Sequence, residues 1–212
     1  MKPAVVVLAA PSGSGKTTIA RALVERWPER YGFSVSGTTR PPRPGEREGI
    51  DYYFLPRAEF LRRVTAGEFL ESAEYAGELY GTLKREVDRL LGAGRHVLLD
   101  IEVQGAAQVR RLYPGAASRM IFILPPSGAE LLRRLEGRRT EAAAALVKRL
   151  ETAIAELGQA PAFDQVIVND ELDTAVQMVD RIVQGQTARQ SGTDARIKQL
   201  VAELKTKLRE LS

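Results

Sequence analysis

At 212 residues and a net charge of +4, the chain is long enough for one hydrophobic core with insertions, or for one domain with a small appendage, and it needs no covalent staples to fold. It has no cysteine, which excludes thiol nucleophiles and cysteine metal sites and fits a reducing, cytoplasmic setting, and its one histidine, His96, excludes a histidine-cluster metal site. The mild charge comes with no basic stripe and no RNA-binding aromatic signature, so nucleic acid is not an expected partner; no stretch approaches the roughly 18 apolar residues of a membrane span.

The chain opens with Lys2 and the apolar run Ala4 to Ala10, a faint likeness to a secretory signal. That reading fails because cleavage there would remove a buried strand that leads directly into Ala10-Pro11-Ser12-Gly13-Ser14-Gly15-Lys16-Thr17. Strand, glycine-rich turn and helix in this order form a phosphate cradle: backbone N–H groups converge on the anion, Lys16 reaches the outer phosphates and Thr17 offers a hydroxyl to Mg²⁺. Ala10 stands where the pattern has its first glycine, so the context has to confirm the match, and the switch from strand to helix periodicity across these residues does so. The expected ligand is a nucleoside triphosphate.

Further strands are expected at Phe33–Ser36, Val97–Ile101, Arg119–Leu124 and Gln165–Val168, mostly apolar and β-branched enough to be buried on both faces. Helical patterns at Thr17–Arg26, Leu83–Leu91, Gly128–Leu135 and Ala143–Leu157 separate them. The alternation predicts an α/β fold with a parallel sheet flanked by helices. His96, at the edge of the second of these apolar runs, reads as structural. Two segments break the rhythm. Thr38 to Tyr80 is polar, rich in Arg, Gly, Pro, Tyr and Glu, and too long for a plain connection, so it reads as an inserted substrate lobe. Ser127 to Ala160 is Arg- and Ala-rich and helical, as suits a flap over phosphates. Near the C-terminus, Ile197, Val201, Leu204, Leu208 and Leu211 form a heptad-like stripe of about two turns of the pattern. The favoured reading is a terminal helix packed on its own domain; a homodimer contact is the second.

Inside the inserted lobe, Arg40 and Arg43 lie three residues apart in a stretch stiffened by Pro41, Pro42 and Pro44. Such a pair can hold a phosphate in bidentate fashion, with the prolines limiting the entropy lost on ordering, and Tyr52 and Tyr80 offer hydroxyl donors. Alone, the pair would read as an ordinary solvated loop. Beside a phosphate cradle, it reads as a grip for a second phosphate.

These residues belong to an ordered set. Phe33-Ser34-Val35-Ser36-Gly37-Thr38-Thr39-Arg40-Pro41-Pro42-Arg43, Gly49-Ile50-Asp51-Tyr52-Tyr53-Phe54, Phe69-Leu70-Glu71, Tyr80-Gly81-Thr82 and Leu99-Asp100-Ile101-Glu102-Val103-Gln104-Gly105 together resemble guanylate kinase, from about Pro3 to about Val183. The resemblance implies a P-loop NTPase-type core with a GMP-binding lobe and a helical lid, and the reaction ATP + GMP ⇌ ADP + GDP with Mg²⁺. It divides the chain into core (1–33), GMP lobe (34–86), core (87–126), lid (127–160), core (161–188) and C-terminal helix (189–212). It places the GMP-phosphate contacts on Arg40, Arg43, Tyr52 and Tyr80, and the guanine contacts on Ser36, Glu71, Thr82 and Asp100. Glu71 makes chemical sense, because guanine presents N1–H and N2–H donors together whereas adenine carries a lone pair at N1. Asp100, ending an apolar strand, serves metal-bound water, guanine or both. The lid arginines fall on Arg134, Arg138 and Arg149, and Asn169 falls in the segment near the adenine. Arg139 stands where the family usually has glycine, and Ala142 to Ala145 replace a more acidic stretch.

Two rivals are weighed against this reading. A catalytically silent interaction module of the same fold would not need Lys16, Thr17, Arg40 and Arg43 together. A kinase of phosphorylated sugars would keep the cradle and lid but have little use for Glu71.

Overall fold

A computed structural model describes residues 2–75, 77–136, 143–186 and 192–211. In chain order the elements are β1 (Val5–Ala9), α1 (Lys16–Arg26), β2 (Tyr31–Phe33), β3 (Ser36–Thr38), β4 (Tyr53–Phe54), α2 (Arg57–Thr65), β5 (Phe69–Tyr75), β6 (Glu78–Leu83) and α3 (Lys84–Gly92). They continue with β7 (His96–Asp100), α4 (Val103–Leu112), β8 (Ser118–Leu124), α5 (Gly128–Glu136), α6 (Ala143–Gln159), β9 (Gln165–Val168), α7 (Leu172–Val183) and α8 (Thr193–Leu211). The fold is α/β, with a five-stranded parallel sheet in the order β2-β7-β1-β8-β9. Val5 to Ala9 are all buried, as are His96 to Leu99 and Met120 to Leu124. This is the two-faced burial that helix-covered parallel strands require. No helix among the described residues is long and apolar enough to cross a membrane.

Contacts divide the chain into two compact units, residues 1–7 with 24–118, and residues 8–23 with 119–212. The first holds a second sheet that the sequence does not announce, in the order β4-β3-β6-β5. Its β3–β6 and β5–β6 pairs are antiparallel, and its β3–β4 pair is parallel. The inserted segment thus has a sheet and a small core of its own: Phe60 of α2 stacks on Phe69 of β5 at 4.4 Å between ring centroids, with Leu83 beside them. The single strand expected at Phe33–Ser36 is corrected here to two. Ser34 N–H still donates to Leu98 O at 3.1 Å, and the chain then leaves the parallel sheet, so that Ser36 pairs with Thr82 in the other one. In the same unit His96 is buried, its Nδ1 accepting the Ala4 N–H at 3.1 Å and its ring lying 5.7 Å from that of Tyr31, the structural role expected of it.

In the second unit, α8 packs on α6 and, less extensively, on α5. Ile197, Leu200 and Leu204 are buried, while Val201, Leu208 and Leu211 are half-buried. Leu200, which the heptad-like spacing leaves out, belongs to the buried face. The helix therefore packs within its own unit.

Candidate active site

The phosphate loop lies in the second unit, between β1 and α1. Ser14 N–H donates to Pro11 O at 3.0 Å, and Ile19 N–H closes the first turn of α1 on Gly15 O at 3.1 Å. Gly13 and Gly15 sit at φ +88° and +92°, a region that side-chain-bearing residues rarely adopt. Lys16 folds back over the loop, its Nζ donating to Ala10 O at 3.1 Å, and the exposed Thr17 sits in the first turn of the helix. Two side chains brace the loop from outside it. The Arg134 guanidinium of α5 donates to Gly13 O at 3.0 Å, and the Asn169 amide, just after β9, donates to Ser14 O at 2.8 Å. A Cβ on Gly15 would come within 2.4 Å of that amide nitrogen. Ser14 Oγ is buried without a hydrogen-bond partner among the described residues. A cleft of about 530 Å³ opens beside Asn169, lined by Val168, Asp170 and the start of α8 with Thr193, Arg196 and Gln199.

Of the arginines expected in a lid, Arg134 is thus on the loop. Its Nε also bonds Glu130 at 2.6 Å, and the Arg133 and Arg134 guanidinium groups pull that half-buried carboxyl down to about 2. Arg149 of α6 donates to Leu135 O at 2.7 Å, a cation at the C-terminal end of α5 where the helix dipole favours it. Arg138, with Arg139 and Ala142, lies outside the described residues.

The first unit gathers the other predicted residues. Arg40 lies over the Tyr52 ring at 5.3 Å and near Phe54 at 5.9 Å, and Tyr52 meets Tyr80 edge-on at 6.1 Å. Burial, then the charges of Asp100 and Tyr80, push the Tyr52 phenol up. Glu46, which sequence reasoning missed, ties the cluster together. One carboxylate oxygen accepts from the Arg40 guanidinium at 2.9 Å and the other from Arg43 N–H at 2.7 Å. Burial opposes the charge on Arg40, but Glu46 and Tyr80 outweigh it and raise the guanidinium above its ordinary value; the Arg40 hydrogen bond in turn holds Glu46 below the usual carboxylate range. The Arg43 side chain is exposed.

Glu71 sits on β5 with Thr82 opposite it on β6. Its Oε1 accepts both Thr82 N–H, at 3.0 Å, and Thr82 Oγ–H, at 2.7 Å. The residue is 6% exposed, and burial pushes the carboxyl up against the opposing pull of Thr82, with Glu102 adding to the rise. A second overlooked residue explains how a carboxylate fits here: a Cβ on Gly105 of α4 would come within 2.4 Å of Glu71 Oε2. A glycine inside a helix costs about 1 kcal/mol relative to alanine, so its presence in a helical pattern is the signal that was available.

Comparison with known proteins meets these two arrangements from outside. The guanylate kinase family model matches residues 2–186. The guanylate kinase of Synechococcus elongatus is 48% identical over 179 residues, covering 84% of this chain and 96% of that protein. That of Rubrobacter xylanophilus is 47% identical over 184 residues, covering 85% and 95%. The crystal structure of guanylate kinase from Anaplasma phagocytophilum superposes with a TM-score of 0.71 at 34% identity, covering 92% of this chain and 94% of that one. With its braced phosphate loop, its arginine–tyrosine cluster and this likeness along nearly its whole length, the chain belongs to the guanylate kinase family.

Proposed function

We infer that this chain catalyses ATP + GMP ⇌ ADP + GDP. The observation that carries the reading is Glu71: a buried carboxylate, held on one side by Thr82, in the unit that also presents Arg40, Tyr52 and Tyr80. A phosphomonoester joined to a base with adjacent N–H donors satisfies both features at once, and a phosphosugar satisfies one. In this reading residues 34–86 form the acceptor lobe and 127–160 the lid. Arg40, Arg43, Tyr52 and Tyr80 take the GMP phosphate, while Ser36, Glu71, Thr82 and Asp100 take guanine. Binding exchanges the Arg40–Glu46 contact for a charge-assisted contact to phosphate.

The loop Ala10 to Thr17 takes the ATP phosphates, with Lys16 on the outer ones and Asn169 toward the adenine. Ser14 Oγ, buried and unpartnered among the described residues, is a donor suited to a phosphate oxygen. The exposed Thr17 hydroxyl is a hard oxygen donor and fits the sparse protein ligation that Mg²⁺ accepts when phosphates and water complete its shell, and Asp100 offers a carboxylate of the same hard character that would act through water. Mg²⁺, when bound, would offset charge on the phosphate oxygens.

Phosphoryl transfer asks the protein for alignment and charge neutralisation more than for covalent chemistry. The second pKa of a phosphomonoester is near 6, so the attacking GMP oxygen is already ionised at neutral pH and needs no general base. Arg40 orients the acceptor; Lys16, Arg134, Arg138 and Arg149 stabilise the charge of the migrating group. Exclusion of water from the bound phosphates would keep ATP from hydrolysis.

A coupled ADP-release assay with ATP against GMP, AMP, UMP and phosphosugars tests the reading. Turnover of GMP far above the others is expected. Preference for any other acceptor, or turnover of none, overturns it.

A further inference from the structure

The family match ends at residue 186, before α8 begins at Thr193. We propose that α8 is a positioning element of the ATP-binding loop: Glu203 and Arg196 fix the first turn of α5, and α5 thereby holds Arg134 on the loop. The inference rests on the reading of that loop as the ATP site.

The contacts run in one chain. Glu203 Oε2 accepts Gly128 N–H at 2.9 Å, and Gln199 Nε2 donates to the other oxygen at 2.8 Å. Arg196 donates to Pro126 O. The residues so gripped, Pro126 and Gly128, flank Ser127, whose Oγ accepts Glu130 N–H at 3.1 Å. A helix start carries N–H groups without partners inside the helix and a partial positive charge, so a carboxylate placed there both satisfies a donor and favours the dipole. Residue 128 is adapted to this contact, because a Cβ there would come within 2.3 Å of Glu203 Oε2 and 3.0 Å of its Cβ. Two turns along the same helix, Arg134 bonds Glu130 at 2.6 Å and the loop carbonyl of Gly13 at 3.0 Å. The Arg134 Cβ also lies 3.3 Å from where a Cβ on Gly13 would stand. Helix α5 is therefore in direct contact with the loop, and a shift of its first turn is passed to the residues that cradle phosphate. The apolar face of α8, Ile197, Leu200 and Leu204, keeps the clamp in place.

The test uses the full chain and a fluorescent N-methylanthraniloyl-ATP with Mg²⁺. Glu203→Ala is expected to raise the Kd about tenfold, equivalent to roughly 1.4 kcal/mol. Glu203→Gln, which retains an acceptor oxygen for Gly128 N–H, should stay within about threefold of the parent. Gly128→Ala should reproduce Glu203→Ala, and Lys207→Ala on the same helix should not. In turnover, KM for ATP should rise while KM for GMP holds. A Glu203→Ala protein that melts earlier but binds the nucleotide with unchanged Kd overturns the proposal, since bracing of the fold alone would produce that result. If Glu203→Ala does not fold, Gly128→Ala provides the same comparison, because its added Cβ would displace Glu203 Oε2 from the start of α5. A parent protein that binds the nucleotide but does not phosphorylate GMP sinks the proposed reaction and leaves this inference to the Kd ratios; one that binds no ATP sinks both.

Discussion

Replacing Glu71 with glutamine separates the guanine contact proposed for the carboxylate from what the carboxylate costs the fold. Oε1 is engaged by Thr82 N–H and Oγ–H at 3.0 and 2.7 Å, and a glutamine carbonyl can keep both bonds. The amide nitrogen then occupies the other position and meets the N1–H and N2–H donors of guanine with donors of its own. Hydrogen bonds to a charged group are worth about 1.5–3 kcal/mol each, so a net loss of about 3 kcal/mol, or roughly 10²-fold in kcat/KM for GMP, is expected. IMP lacks the N2 amino group and should suffer less, so the preference for GMP over IMP should shrink. The effect on stability has the opposite sign. Burial raises the Glu71 carboxyl above its ordinary value. Its favourable contribution is therefore complete below the unfolded pKa, about 4.3, and is lost as pH rises through the folded value. At pH 7 the glutamine protein should accordingly be at least as stable as the parent, and the gap should close as the pH falls into the ordinary carboxylate range. Coupled assays with GMP and IMP, together with urea melts of both proteins across pH, measure each half. An unchanged ratio of GMP to IMP refutes the base-reading role, and a variant less stable at pH 7 than at pH 4 relative to the parent refutes the linkage argument.

Gly105→Ala should raise KM for GMP about tenfold with KM for ATP unchanged, because the new Cβ meets Glu71 Oε2 at 2.4 Å; equal effects on both substrates would contradict it. Lys16→Ala should lower kcat by at least about 10²-fold while circular dichroism and melting stay close to the parent, and near-normal turnover in a folded sample would remove the loop from the mechanism. His96→Ala should cost about 1–3 kcal/mol in denaturant unfolding by stranding the Ala4 N–H, with kcat unaffected; a fall in kcat without loss of stability would show that the histidine is more than structural.

The phosphate loop was legible because it is encoded locally: a strand, a turn with two left-handed glycines and a helix follow one another in sequence. Arg40, Tyr52, Tyr80 and Glu71 stood out through their ordered motifs, and the geometry adds that Arg40, Tyr52 and Tyr80 cluster. Glu46 was not legible, since a glutamate in a polar proline loop looks solvated until Gly45, at φ +88°, turns it onto Arg40. The lobe's own sheet was hidden by short strands whose outward faces are polar. Asn169 was assigned through resemblance alone, and nothing local in sequence foretells that its amide braces Ser14, a contact across 155 positions of chain. The clamp of Glu203 on Gly128 is of the same long-range kind.

The place where α8 sits bears on how this protein should be produced and handled. Boundaries drawn from the family match would cut the chain near residue 186, leaving α6 without the cover of Ile197, Leu200 and Leu204. A shortened product would present a greasy stripe to water, and such stripes seek each other. Self-association measured on a trimmed sample would then report the scissors, and quaternary structure should be judged from the intact polypeptide.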